Sequence, residues 1–209
     1  ELNAALRADN YSDAGSSCVQ VLASGPDLPD DTLHAMLLAG IMGARFRVWI
    51  VSPFFVPDDA LQSALHLACR RGLDVRIVVP RRSNQRQADW VRASYLREIG
   101  AAGGRIFMFG PAMLHAKIVI LDDRVAMVGS ANFDMRSLFT NHEVAAVLYD
   151  PADVESVAAL DAMMSLSECT SSISWILLLL PNENPPAFSA TGSGASCSST
   201  QACQPMSRT

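Results

Sequence analysis

Arg47-Val48-Trp49-Ile50-Val51-Ser52 is the stretch on which the fold turns. Four apolar, strand-favouring residues follow one another with no polar alternation, the pattern of a strand covered on both faces. Pro53 stops it. Pro57-Asp58-Asp59 then opens a helix whose apolar stripe includes Leu61, Ala64, Leu65 and Ala68, and Gly72 closes it as a C-cap. Asp74 to Val79 is a second short apolar strand, ended by Pro80. A strand, a helix of this length and another strand predict an α/β domain with at least partly parallel pairing.

Working outward, Leu33, Met36, Leu37, Gly40 and Ile41 repeat at helical spacing through Ala44, after a turn cluster at Ser24-Gly25-Pro26-Asp27. A helix from about Gln87 to Ile99 and a strand Arg105 to Phe109 follow Pro80. Beyond Pro111 the connections shorten: Met113 to Leu121, Arg124 to Val128 and Glu143 to Tyr149 read as strands, so this part of the sheet is mixed or antiparallel. Asp150-Pro151 starts a last helix, to about Met164. The expected fold is therefore α/β, with a mixed central sheet flanked by helices. Residues 1–24 read as a linker or domain edge, 25–165 as the domain, and 166–209, rich in Ser, Thr, Pro, Gly and Cys, as a low-complexity, disordered tail.

Half of the 209 residues are apolar and 18% are charged, which excludes wholesale disorder. The longest uninterrupted apolar run, Trp175 to Leu180, is too short to span a bilayer. Five cysteines without a Cys-x-x-Cys pair predict a reducing compartment and no structural metal, with Cys69 as a small buried hydrophobe. A net charge of -5 argues against a dedicated nucleic-acid binder. Locally the balance reverses: Arg70 to Arg105 holds nine arginines against Asp74, Asp89 and Glu98. A positive face of this kind suits a phosphodiester or an anionic membrane surface. Arg81, Arg82 and Arg86, just past a strand end, are its candidates for head-group contact.

Of the 16 basic residues 15 are arginine, and the single lysine, Lys117, stands two positions after His115. Strand alternation predicts His115, Lys117 and Val119 on one face, with Leu114, Ala116 and Ile118 on the other. An ammonium beside an imidazole suits a phosphodiester. The cation neutralises non-bridging oxygens, and the imidazole can attack phosphorus or carry a proton near neutral pH. Downstream, Gly129-Ser130-Ala131-Asn132 supplies backbone N–H, hydroxyl and amide donors that can converge on an anion. His34 and His66, on helices, and His142, on the face opposite Glu143, are read as structural. So is Trp49. Phe107, Met108, Phe109 and Met113 read as strand core rather than the wall of an acyl channel.

His115-x-Lys117-x4-Asp122-x6-Gly129-Ser130-x-Asn132 resembles the HKD signature of the phospholipase D superfamily. Ser52-Pro53-Phe54-Phe55-Val56-Pro57-Asp58, Met113 to Lys117, Asn132-Phe133-Asp134-x-Arg136-Ser137 and Asn141-His142-Glu143 look like the C-terminal catalytic half of bacterial cardiolipin synthases. The likeness spans residues 20 to 165. It implies a phospholipase D-like domain that transfers phosphatidyl groups through a phosphohistidine, with two HKD motifs per active site and no cofactor or metal. In that pattern His115 is the general acid and then base, Lys117 and Asn132 hold phosphate oxygens, and Ser130 supports the anion pocket. Gly129 and Asp122 are structural parts of the motif, and Glu143 is the carboxylate that orients His115.

Only one HKD motif is present, since none of His34, His66 and His142 has a lysine two residues on. The expected partners are therefore a phospholipid such as phosphatidylglycerol, an anionic membrane surface, and a second HKD half. That half lies either in a longer chain, whose N-terminal half and membrane helices precede Glu1, or in a homodimer partner. The first case implies association with the cytoplasmic side of a bacterial inner membrane. Two alternatives stand beside it: a single-motif phosphodiesterase or nuclease active as a homodimer, and an isolated half-domain without activity.

Overall fold

The run at 47–51 lies inside a seven-stranded sheet, four of its five residues buried. The computed structural model describes residues 17–28, 31–83, 86–110 and 114–166, excepting the side chains of residues 86 and 160–166. In chain order the elements are β1 (Val19–Ser24), α1 (Thr32–Gly43), β2 (Arg47–Val51), β3 (Phe55–Val56), α2 (Asp59–Arg70), β4 (Asp74–Pro80) and α3 (Arg86–Ala101). Then come β5 (Arg105–Phe109), β6 (Ile118–Leu121), β7 (Val125–Gly129), β8 (Phe133–Asp134), α4 (Met135–Phe139), β9 (Glu143–Leu148) and α5 (Pro151–Leu166).

The large sheet has the order β1-β9-β7-β6-β2-β4-β5. β2, β4 and β5 run parallel, and every pairing from β2 through β6, β7 and β9 to β1 is antiparallel. This is the expected mixed sheet, with the change of direction where the connections shorten. Helices cover both faces. On one, Leu33, Leu37 and Ile41 of α1, Leu61 and Leu65 of α2, and Leu96 and Ile99 of α3 pack on Val48, Ile50, Val75 and Ile77. On the other, Val154 and Ala158 of α5 pack with Trp49, Val51, Val78, Ile120 and Ala126. Phe107 and Phe109 pack against this second core and Met108 against the first, all three partly buried.

Local chemistry explains the helix ends. Asp58 caps α2, its carboxylate accepting the N–H groups of Ala60 at 3.1 Å and Leu61 at 3.4 Å. Gly72 follows α2 with φ +81°, a conformation that favours glycine.

Three features depart from the sequence expectation. Val19–Ser24, expected within a linker, form edge strand β1, pairing six residues with β9. Val19 and Val21 face outward while Leu22 and Ser24 are buried, so the strand has no polar face to mark its alternation. Met113 to Leu121 was expected as one strand, but β6 comprises Ile118–Leu121 alone. Its neighbour β2 ends at Val51, the partner of Ile118, which leaves Leu114 to Lys117 no strand on that side to pair with; Met113 lies outside the described residues. Third, β3 and β8 form a small parallel sheet of their own, with Phe55 stacked on Phe133 at 5.3 Å. No helix among the described residues is long and apolar enough to cross a membrane.

Candidate active site

Strand directions bring the motif to one edge of the sheet. β2 and β4 end there at Val51 and Pro80, β7 ends at Gly129, and β6 and β9 begin at Ile118 and Glu143. In an open α/β sheet this edge, outside the carboxyl ends of the parallel strands, is where ligands bind. His115, Lys117, Gly129, Ser130, Asn132 and Glu143 all belong to it. Asp122 does not.

Lys117 stands immediately before β6 and is held by its carbonyl, which accepts the Gly129 N–H at 3.2 Å. Although 114–117 is not strand, the environments still alternate: Leu114, Ala116 and Ile118 join the core under α5, while Lys117 and Val119 face a cleft on the other side. That cleft is lined by Ser52, Lys117, Gly129, Asn132 and Phe133 above an apolar floor that includes Leu33 and Leu37. The Lys117 Nζ donates to the His115 carbonyl at 2.7 Å and has no carboxylate partner among the described residues. Burial pushes its ammonium below the ordinary lysine range, and the Glu143 carboxylate pulls it part of the way back.

Gly129 is required by close approach. A Cβ there would stand 2.5 Å from the Val144 carbonyl oxygen and 2.9 Å from the Cα of Ala145. Only glycine lets β7 lie against β9 at this point. Ser130 is then fastened to β9: its N–H donates to the Val144 carbonyl at 2.9 Å, and its Oγ accepts the Val144 N–H at 3.0 Å and donates to Glu143. Asn132, two residues on, has a buried Oδ1 without a hydrogen-bond partner. Rotating that amide by half a turn puts Nδ2 at the same point, so the unpaired position can offer N–H to an anion.

The opposite edge holds Asp122. Its φ of 56° lies in the left-handed region that aspartate tolerates. Its carboxylate accepts the backbone N–H groups of Arg45, Phe46 and Arg47 at 2.8 to 3.1 Å, and Arg47 Nε donates to its carbonyl at 2.7 Å. Burial pushes this carboxyl up, but the three N–H groups and Arg124 outweigh it and hold the group below its usual range.

The cleft thus gathers Lys117, Gly129 and Asn132, and Ser130 and Glu143 join each other beside it. His115 is exposed, with no hydrogen bond from its ring to any described residue. Glu143 spends its two oxygens on Ser130 and on Asn141 Nδ2, the latter at 3.1 Å. His34 pairs with Asp58 at 3.1 Å and the exposed His142 with Asp27 at 3.2 Å, both away from the cleft. Arg81 and Arg82 are exposed past the end of β4, on the same edge as the motif. Beneath them lies Arg92, 2% exposed, which pairs with Asp89 and donates to the carbonyls of Pro80 at 2.7 Å and Arg81 at 3.3 Å. Sequence reasoning counted Arg92 with a basic surface and missed its internal role. It also missed Ser52, whose bond to Phe133 is a tertiary contact, and Asn141, which bonds Glu143 two residues on. Among the described residues no three His, Cys, Asp or Glu side chains cluster closely enough to hold a metal ion.

Residues 37–165 match the model of the cardiolipin synthase, PLD-like domain. The chain belongs to that family. Its relatives include cardiolipin synthase A of Pseudomonas entomophila, 42% identical over 149 residues that make up 71% of this chain and 31% of the relative. Cardiolipin synthase 2 of Bacillus cereus is 40% identical over 139 residues, 66% of this chain and 27% of that protein. This cardiolipin synthase-type domain therefore spans less than a third of the curated relatives it matches. Among solved structures it is similar to Nuc from Salmonella typhimurium, a phospholipase D family member: TM-score 0.61, 25% identity, 71% of this chain and 94% of that one. The phospholipase D-like fold and family read from the HKD spacing are both borne out.

Proposed function

We propose that this domain supplies one of two HKD halves of an enzyme that transfers phosphatidyl groups between phospholipids, making cardiolipin from phosphatidylglycerol. The observation that carries the reading is Lys117: a half-buried ammonium without a carboxylate partner among the described residues, lining one cleft with the unpaired amide of Asn132. A cation partly stripped of water attracts a phosphodiester more strongly than one at the surface. In this reading the histidine of the other half attacks phosphorus and forms an N–P bond. His115 gives its proton to the departing glycerol oxygen, then takes one from the hydroxyl of the second phosphatidylglycerol as that oxygen displaces the histidine. Lys117 and Asn132 hold the non-bridging oxygens. Ser130 supports the pocket, and Glu143 orients His115 once substrate brings the imidazole inward. Asp122 and Gly129 set the backbone. The exposed Arg81 and Arg82 face the anionic membrane surface on the cytoplasmic side, and no cofactor is required.

A second reading draws on Nuc, which the match covers almost end to end. In that reading the other half of the site would come from a second copy of this chain, and the pair would act as a phosphodiesterase. The test is incubation of the gene product with phosphatidylglycerol vesicles and, separately, with nicked plasmid DNA. Cardiolipin formation that His115→Ala abolishes is the expected result. DNA cleavage without lipid turnover favours the second reading, and a folded product inert toward both marks an inactive half-domain.

A further inference from the structure

The segment Ser52-Pro53-Phe54-Phe55-Val56-Pro57-Asp58 has no part in the proposed chemistry, yet its first residue lines the same cleft as Lys117 and Asn132. Ser52 is 1% exposed, at the point where β2 leaves the sheet. Its hydroxyl is used in both directions: Oγ donates to the Phe54 carbonyl at 2.6 Å and accepts the Phe133 N–H at 3.0 Å. Its own N–H donates to the Val78 carbonyl at 3.1 Å. One buried side chain thus joins the end of β2 to a backbone 81 residues away, next to Asn132. The contact continues as β3 pairing with β8 and as Phe55 stacked on Phe133. Asn132 stands between two fastenings, Ser130 on β9 and Phe133 on Ser52.

We propose that Ser52 is a positioning residue for the anion pocket, fixing the Ser130–Phe133 backbone so that the Asn132 amide faces the ammonium of Lys117. The inference rests on the phosphate-binding role proposed for those two residues. Removing the hydroxyl leaves the buried Phe133 N–H and Phe54 carbonyl without this partner, and the segment relaxes away from Lys117.

Titration of the 209-residue chain with inorganic phosphate, followed by phosphorus NMR, tests it. Ser52→Ala is expected to weaken phosphate about tenfold, the equivalent of one misplaced hydrogen bond. Ile99→Val, a core change in helix α3 beside Gly104, just before β5, costs comparable stability and is expected to leave phosphate binding intact. Ser52→Cys keeps a donor and acceptor at this point, larger and weaker than the hydroxyl; it is expected to fall between wild type and alanine, and it decides the matter should Ser52→Ala not fold. Binding lost in Lys117→Ala but retained in the Ser52 variants overturns this inference alone. Absence of saturable phosphate binding by the unaltered chain overturns the pocket reading and this inference together.

Discussion

The two edges of the sheet are built from similar residues and treat them differently. At the edge of Asp122 and Asp74 the charges are saturated within the protein. Asp122 takes three backbone N–H groups, while Asp74 takes Trp49 Nε1 at 3.2 Å together with the guanidinium groups of Arg76 and Arg105. Arg47 and Arg76 also stack on the Trp49 ring, at 4.6 and 3.9 Å. At the other edge Lys117 has a neighbour's carbonyl, Asn132 has an unpaired oxygen, and the His115 ring bonds to no described residue. Unsatisfied polar groups cost stability and persist where a ligand completes them. One edge spends its polar groups on folding; the other leaves them open, as the proposed anion site requires.

That contrast breaks if variants at the two edges behave alike. The largest expected effect is on catalysis: Lys117→Met should lower phosphatidyl transfer by about a hundredfold or more, the scale for losing one donor to a transferring phosphoryl group. Steady-state assay on phosphatidylglycerol vesicles reads it, and a change in KM alone would reduce Lys117 to a ground-state contact. Next comes Asp122→Ala, expected to cost about 3 kcal/mol in denaturant unfolding because three backbone donors lose a charged acceptor.

The same carboxylate predicts a pH dependence. Its folded pKa lies below its ordinary value of 3.8, so its contribution is complete above that value and is lost as pH falls through the folded pKa. The stability gap between wild type and Asp122→Asn should therefore be constant near neutrality and narrow below about pH 4. A gap that widens on acidification would reverse the assignment. The smallest effect is expected from Trp49→Phe, which removes the indole N–H to Asp74 while keeping a ring beneath the two arginines: about 1 kcal/mol, with transfer activity unchanged.

Much of this was legible in the sequence where the signal is local. The apolar run 47–51, the Asp58 cap and Gly72 each report a conformation through neighbouring residues, and the corresponding strand, helix start and helix end follow. The spacing from His115 to Asn132 marked the family because it spans one β-hairpin, β6 and β7. Long-range matters were not legible. Val19–Ser24 is a strand only because β9 lies beside it, and the length of β6 is set by where β2 stops. Ser52 reads as the residue before a proline until Phe133 arrives from 81 positions away. The sequence suggests Glu143 as the carboxylate that orients His115 but not its bonds to Ser130, which the fastening of Ser130 to β9 brings near, and to Asn141.

The division between the edges is tested most directly by the unfolding midpoint of Lys117→Met. Lys117 is a cation that burial disfavours, the Glu143 carboxylate offsets that only in part, and no ion pair among the described residues makes up the rest, so the variant is expected to be at least as stable as the unaltered chain. A loss approaching the ~3 kcal/mol expected for Asp122→Ala would show that Lys117 serves folding as Asp122 does, and would contradict a binding edge set apart from a folding edge.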